Sequence, residues 1–487
     1  MNTSAGRRVA AWLSSWGRGG PATPLSESTV LIPVALGTML APLNSTMIAV
    51  ALPDLLADFD RSLAWGSWIV TSYLVAMAAV QPLGGSLGDR YGRRRLFLIG
   101  LMFFLAATVA AALSWSIEVL IVARTVQALA GAMAIPNGTA LVRSLVAPER
   151  QGRAFGAVGS AIALAAGLGP PIGGVVTATL GWRWIFIANI LLVAPALILG
   201  LRLSAVPSAS STGRFDLRGA ALLICGLVSL VLALTVWRLP GVPLVLGPAL
   251  GLLAAGTSLA FVWHAGRFPK PILNLTLLRA RGFTPAVTTV LLSNLTMYTL
   301  LLSLPLFLVE WGNWGDEHIG LLLAGLSLPM VFLSPLGGRL SDRSGRRFPA
   351  VVGTVLIALG TLPFLAVSPV WSWALYLAPL VVLGSGLGLS MASVQTAAIE
   401  TVPLAQTGQA AGLFSTMRYL GSIIGSSIMA AVLIGRTPPV ENFRILYAAL
   451  FLSACGAIFA SWRLPVWLKR ASDHEAEPSV SPEQARR

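Results

Sequence analysis

The segment GGSLGDRYGRRR at positions 84–95 recurs as LGGRLSDRSGRR at positions 336–347. Aligned at Asp89 and Asp342, the two share Gly-x-Leu-x-Asp-Arg-x-Gly-Arg-Arg, an internal repeat displaced by 253 residues. A pattern of ten positions that returns in a corresponding place makes chance a poor explanation and implies two related halves. The loop chemistry is readable in itself. Gly85 permits close helix approach, Gly92 suits a tight turn with positive φ, and Asp89 can stabilise the positive end of the helix that follows the loop. Arg93 to Arg95 anchor a membrane interface, and the second copy repeats these roles with Gly338, Asp342, Gly345 and Arg346.

What surrounds the repeat is apolar. Of 487 residues, 56% are AVILMFWYC and 10% are charged, against roughly 25% charged in a soluble domain, so a soluble globule is excluded. Recurring apolar runs of about 20 residues are each long enough to cross a bilayer core. The 49 Gly and 31 Pro are tolerated inside such helices because neighbouring helices satisfy the freed backbone groups. Reading for these runs predicts fourteen transmembrane helices: six within 29–204, two within 205–282 and six within 283–465. The repeated loops follow helices two and ten, so two helices sit between six-helix halves, a six plus two plus six architecture. With the termini cytoplasmic, 26 of the 33 basic residues fall in tails and even-numbered loops, as the positive-inside rule requires. Arg61, Arg183, Arg238, Arg436 and Arg444 then face outward, while Arg124 and Arg418 are embedded. The expected class is an all-α integral membrane protein with both termini cytoplasmic, in the inner (cytoplasmic) membrane.

At the ends, Val9, Trp12, Leu13 and Trp16 beside Arg7, Arg8 and Arg18 fit an interfacial amphipathic helix or a disordered basic tail within 1–28. Residues 466–487 read as a disordered cytoplasmic tail. The stretch PKPILNLTLLRARGF, within 205–282, reads as a second surface-lying helix. Cys225 and Cys455 sit inside apolar runs and are expected to pack there rather than form a disulfide or metal site. A net charge of +15 is distributed in short blocks between apolar runs, which topology explains better than nucleic-acid binding.

The repeated loop, RTVQALAGA around Arg124, GLGPPIGG around Pro170 and GWRWIFIAN together resemble the major facilitator superfamily, in its fourteen-helix drug:proton antiporter branch, over nearly all of residues 29–465. The resemblance implies a major facilitator fold, no cofactor, and export of amphipathic small molecules by alternating access, coupled to protons. It makes the two loops conformational-switch elements, carried by Gly85, Asp89, Arg90, Gly92 and Arg93 and by Gly338, Asp342, Arg343, Gly345 and Arg346. Arg124 and Gln127 match its RxxQ pattern, with Ala128 replacing a glycine. Gly169, Pro170, Gly173 and Gly174 match its antiporter signature and imply a hinge, with tight packing as the plainer role. LNSTMIAVALP departs from the branch because Asn44 stands where an aspartate is usual.

That departure bears on coupling. All 18 Asp and Glu residues can be placed in loops, tails or near helix ends, and an exchanger of cations for protons needs an embedded carboxylate. Coupling then falls to Arg124, Glu118, Glu310, the cytoplasmic Asp89 or another group, or is lost, and strongly cationic substrates are disfavoured. Arg124 must face the interior or a wet cavity, since exposure to lipid costs about 2.5–3.5 kcal/mol. Arg418 invites an anionic substrate, though a structural hydrogen-bonding role weighs more. Candidate cavity residues are Asn44, Met47, Tyr73, Gln127, Asn294, Tyr298, Gln395 and Arg418. Competing readings are a lipid exporter or flippase and a non-transporting sensor; an enzyme is excluded by the lack of any convergent catalytic set. The expected partners are the lipid bilayer, an amphipathic substrate and protons, with the protein a monomer.

Overall fold

The structure is a computed structural model and describes residues 26–61, 63–204, 215–236, 243, 245–269, 271–312, 316–433 and 439–466. The expected amino-terminal amphipathic helix and carboxyl-terminal tail lie outside the described residues. No strand occurs among the described residues. The first six helices are α1 (Glu27–Asp58), α2 (Leu63–Tyr91), α3 (Arg93–Ala112), α4 (Ile117–Leu145), α5 (Gln151–Leu180) and α6 (Arg183–Gly200). Then come α7 (Leu217–Thr235) and α8 (Leu246–Ala265), followed by α9 (Phe283–Gly312), α10 (Asp316–Ser344), α11 (Arg347–Thr361), α12 (Trp373–Glu400), α13 (Thr407–Val432) and α14 (Val440–Trp462). Among the described residues, thirteen helices are long and apolar enough to cross a membrane. The exception is α13, whose Gln409, Ser415, Thr416 and Arg418 dilute its apolar content.

The internal repeat is visible in the packing. α1 packs on α5 and α6, α2 on α4, and α3 on α4 and α6; α9 packs on α13 and α14, α10 on α12, and α11 on α12 and α14. Every contact of the first set thus recurs eight helices later. α7 and α8 pair with each other, and α7 rests on α2 and also touches α13. The two sets of six meet along two seams, α2 against α13 and α5 against α10.

Two local expectations are corrected. The surface-lying helix expected after α8 is a five-residue 3-10 turn, Leu275–Arg279. Asn274 accepts hydrogen bonds from the amide and hydroxyl of Thr276 at 3.0 and 2.8 Å, a local alternative to the helical ladder, and α9 begins too soon for a longer element. The segment is tied down at both sides, with Ser86 Oγ donating to Ile272 O at 2.5 Å and Asn274 N donating to Gln409 Oε1 at 3.1 Å. Cys225, expected to pack, is exposed, and Cys455 is half-buried. The α7–α8 pair touches the bundle along one side only, and its outer face, with Leu217, Leu252 and Leu259 each at least 70% exposed, is left for lipid.

Candidate functional site

The two repeated loops come together with helix ends from the opposite set of six. Gly92 (φ 103°) and Gly345 (φ 84°) adopt the left-handed backbone expected of them, so α2 turns directly into α3 and α10 into α11. The aspartates do something else. Asp89 does not serve α3; its carboxylate accepts from the amides of Gly408 (2.9 Å) and Gln409 (3.0 Å), at the start of α13. Asp342 likewise accepts from Gly152 and Arg153, both at 2.8 Å, at the start of α5. Each acid stands in the last turn of its helix and faces the seam, where the first amides of a helix have no partner of their own and carry its positive dipole end. A sequence reading that pairs each residue with its chain neighbours misses this.

Behind each aspartate the same three contacts follow. A Cβ on Gly85 would lie 1.8 Å from Gly408 O, and one on Gly338 would lie 2.1 Å from Gly152 O. One turn further in, Gly412 meets Gln81 O and Gly156 meets Ser334 O, where a Cβ would sit at 2.4 and 2.5 Å. Next, Thr416 Oγ1 donates to Ala78 O at 3.0 Å and Ser160 Oγ donates to Val331 O at 2.7 Å. Ala78, Gln81, Gly85 and Asp89 are each 253 residues from their counterparts, and Gly152, Gly156 and Ser160 each 256 from theirs. Small residues let backbones touch, and the hydroxyls then bond across the seam.

The arginines that follow guard these acids. Arg93 Nε and Nη2 donate to Asp89 Oδ1 at 3.0 and 2.9 Å, Nη1 donates to Ser144 Oγ at 2.5 Å, and Nη2 also reaches Leu404 O. Arg346 donates to Asp342 Oδ1 at 2.8 Å and grips Glu400 with two bonds of 3.0 and 2.5 Å. Arg143, read in sequence only as loop charge, crosses to the carbonyls of Ile399 and Val402 and to Thr407 Oγ1. A cation on the last carbonyls of α12 opposes that helix's negative end. Arg90 instead stacks over Phe215 at 5.7 Å, and Arg343 is exposed.

A second polar cluster lies deeper. Asn44 Nδ2 donates to Gln127 Oε1 at 2.5 Å, and Gln127 Nε2 donates to Thr108 Oγ1 at 2.8 Å. Arg124 Nη1 donates to the same Gln127 oxygen at 3.3 Å and its guanidinium lies 4.5 Å from the Tyr73 ring centroid. Arg124 is 1% exposed, and Asn44, Tyr73 and Gln127 are buried with it. Arg124 makes no ion pair among the described residues. Thr108, which closes this network, carried no signal in sequence.

Other candidates lie elsewhere. Asn294 bonds back to Val290 O of its own helix, and Met47 is enclosed where α5 crosses α1 at Gly173, so neither joins this cluster. Tyr298, Gln395 and Arg418 are half-buried. Glu118 pairs with Arg61 at 3.2 Å, both nearly half exposed, and Glu310 is half-buried near the end of α9. The small residues of α5 form two contact faces: Gly169 and Gly173 meet α1 at Thr46 and Met47, while Gly152, Gly156 and Gly167 meet α10. Pro170 and Pro171 lie inside a helix that runs unbroken from Gln151 to Leu180, and Gly174 has only Val50 nearby.

A doubled helical bundle with glycine-lined seams and an enclosed polar centre defines a class, the multi-pass membrane transporters. The sequence model of the Major Facilitator Superfamily matches residues 34–426, and the chain belongs to that family. It is 33% identical over 436 residues to the uncharacterized MFS-type transporter YvkA of Bacillus subtilis, covering 89% of this chain and 95% of that one. It is also 33% identical over 423 residues to the multidrug resistance protein Stp of Mycobacterium tuberculosis, covering 84% and 76%. Among solved structures, the human organic anion transporter MFSD10 superposes with a TM-score of 0.65 at 18% identity, over 88% of this chain and all of that one. The proton:xylose symporter XylE gives 0.63 at 15% identity, over 88% and 94%. At such identities the structures attest the fold alone.

Proposed function

We propose that this protein is a secondary active exporter of amphipathic small molecules in the cytoplasmic membrane, working by alternating access. Its fourteen helices are arranged six plus two plus six, with both termini and the basic loops on the cytoplasmic side. The observation that carries the reading is the matched pair of aspartate-to-helix-start contacts across the seams. They hold the halves together at one end by a few bonds that can open together, which is what a two-state transporter needs of a gate. Relatives named multidrug resistance proteins support efflux as the direction. We read the resting structure as closed to the cytoplasm.

Proton-gradient drive is the primary reading of the energetics. The Asn44–Gln127–Arg124 network, with no carboxylate in it, favours a second reading in which helix one carries no proton and transport is uncoupled from it. Accumulation of neutral, cationic and anionic lipophilic dyes in a pump-deleted host, with and without a protonophore, separates the two. Exclusion of a dye that is abolished both by the protonophore and by nigericin, which collapses the pH gradient alone, supports a proton-driven exporter, and exclusion that survives nigericin supports the second reading. Unchanged accumulation of every dye, with the protein present in the membrane, overturns the exporter of amphipaths.

A further inference from the structure

The centre of the bundle holds two arginines that no carboxylate balances among the described residues. Arg124 is enclosed by Tyr73, Asn44 and Gln127, all of them neutral, and its Nε and Asn44 Oδ1 have no hydrogen-bond partner among the described residues. Arg418 enters from the other half, on α13, with its guanidinium 5.6 Å from the Tyr419 ring centroid. Tyr419 packs against the cluster that contains Tyr73, so the Arg418–Tyr419 pair adjoins the cluster whose Tyr73 lies under Arg124. Tyr298 of α9 lies within electrostatic reach of both Arg418 and Tyr419. Arg418, Tyr419 and Tyr298 are half-buried, accessible where Arg124 is not. Neither arginine forms an ion pair among the described residues.

Enclosing a guanidinium without a counter-charge is costly, and aromatic faces and amide oxygens offset that cost only in part. A ligand that brings a negative charge recovers the remainder on binding, whereas a cation meets repulsion in a low-dielectric setting where charges are poorly screened. The guanidinium fork matches a carboxylate, sulfonate or phosphate group, and the tyrosine faces suit the apolar body attached to it.

We propose, building on the transport reading above, that the substrates are amphipathic organic anions whose acidic group is received between Arg418 and Arg124, with the body of the molecule against Tyr419 and Tyr298. Asn44 is the selectivity residue, because an acid there would neutralise Arg124. Export of an anion against no opposing proton is also driven by an inside-negative potential, which removes the need for an embedded carboxylate.

Three probes sharing one ring system test this on the purified full-length chain: 1-naphthylacetate, 1-naphthylmethyl-trimethylammonium and 1-naphthylacetamide. Calorimetric titration is expected to give the anion an affinity at least about tenfold above the other two, the scale of one charge-assisted contact. Arg418→Gln should weaken the anion by about tenfold and leave the amide unchanged, Arg418→Lys should restore much of the loss, and Asn44→Asp should turn the preference toward the cation. Equal or tighter cation binding, no binding of any probe at millimolar concentration, competition by chloride as strong as by the anion, or a preference indifferent to both substitutions each overturns the inference. Proteoliposome flux of the same probes keeps the two claims apart. Anion binding without flux removes the transport reading and leaves this one, while flux of the cation alone does the reverse.

Discussion

The seam between α2 and α13 and the seam between α5 and α10 share one series of contacts, yet Arg93 meets the neutral Ser144 where Arg346 meets the carboxylate Glu400. Ser144 and Glu400 occupy equivalent positions, 256 residues apart. Asp342 therefore belongs to an acid–arginine–acid triad, whereas Asp89 is the sole carboxylate on Arg93 among the described residues. The backbone contacts are common to both because geometry demands them; the charge accounting is free to differ. The pair teaches that the seams are mechanically alike and electrostatically unequal.

The largest effect should come from removing what the seams share. Gly85→Val and Gly338→Val each place a side chain where a carbonyl oxygen already sits, so either is expected to hold the basic end open and abolish flux; spin-label distances between α2 and α13 should lengthen. Flux that persists in both would mean that the seams do not need to close.

Next come the acids. Asp89→Asn leaves the enclosed Arg93 without any carboxylate, while Asp342→Asn leaves Arg346 gripped by Glu400. With charge-assisted bonds worth about 1.5–3 kcal/mol each, Asp89→Asn should slow transport by about tenfold or more and Asp342→Asn by clearly less. Ser144→Glu in the Asp89→Asn background should recover part of the loss, and Glu400→Ser should make the second seam as sensitive as the first. Equal losses in the two single variants would erase the proposed asymmetry.

Smaller again are the hydroxyls. Thr416→Val and Ser160→Ala each remove one cross-seam bond, which in a membrane is worth about 0.6 kcal/mol on average, so thermal unfolding midpoints should shift little and by similar amounts. The smallest effect lies at the other end of the bundle, where the hydrogen bonds of Arg183 (2.8 Å) and Trp182 (3.1 Å) hold the Asp58 carboxyl below its ordinary range. A depressed folded-state value means that the tie contributes fully above the ordinary aspartate range and is lost as pH falls through the depressed one. Because the groups are nearly half exposed, solvent screens them, and acid titration of stability should differ only slightly between the wild type and Asp58→Asn. The seam contacts should be the same in the two proteins.

Much of the architecture was legible because it is written in composition and periodicity. Apolar runs bounded by charge located the helices, thirteen of which are long and apolar enough to cross a membrane among the described residues, and the repeated loop pointed to the recurrence seen in the packing. Gly92 and Gly345 were legible too, since a direct helix-to-helix turn needs positive φ. The destination of Asp89 was not, because its partners lie more than 300 residues away and are backbone amides, which leave no mark in a side-chain pattern. Arg143 was hidden for the same reason, as its receivers are carbonyls. The candidate centre was half legible: Asn44, Gln127, Arg124 and Tyr73 do converge, while Asn294 and Met47, chosen by the same criterion of embedded polarity or adaptability, serve their own helix and the α1–α5 crossing. Residue type alone does not say which side of a helix faces the interior.

That the acids are received by main-chain amides also sets how the gate can evolve. A peptide N–H survives almost any substitution at its own residue, so Gln409 and Arg153 can drift without taking the acceptor's partner away. The vulnerable half of each contact is the aspartate, together with the glycines that admit it. Mutational loss of the gate is thus concentrated in a handful of codons in each repeat: of the two donating residues opposite each acid, Gly408 matches Gly152 because a Cβ would meet the facing helix, whereas Gln409 and Arg153 differ between the halves.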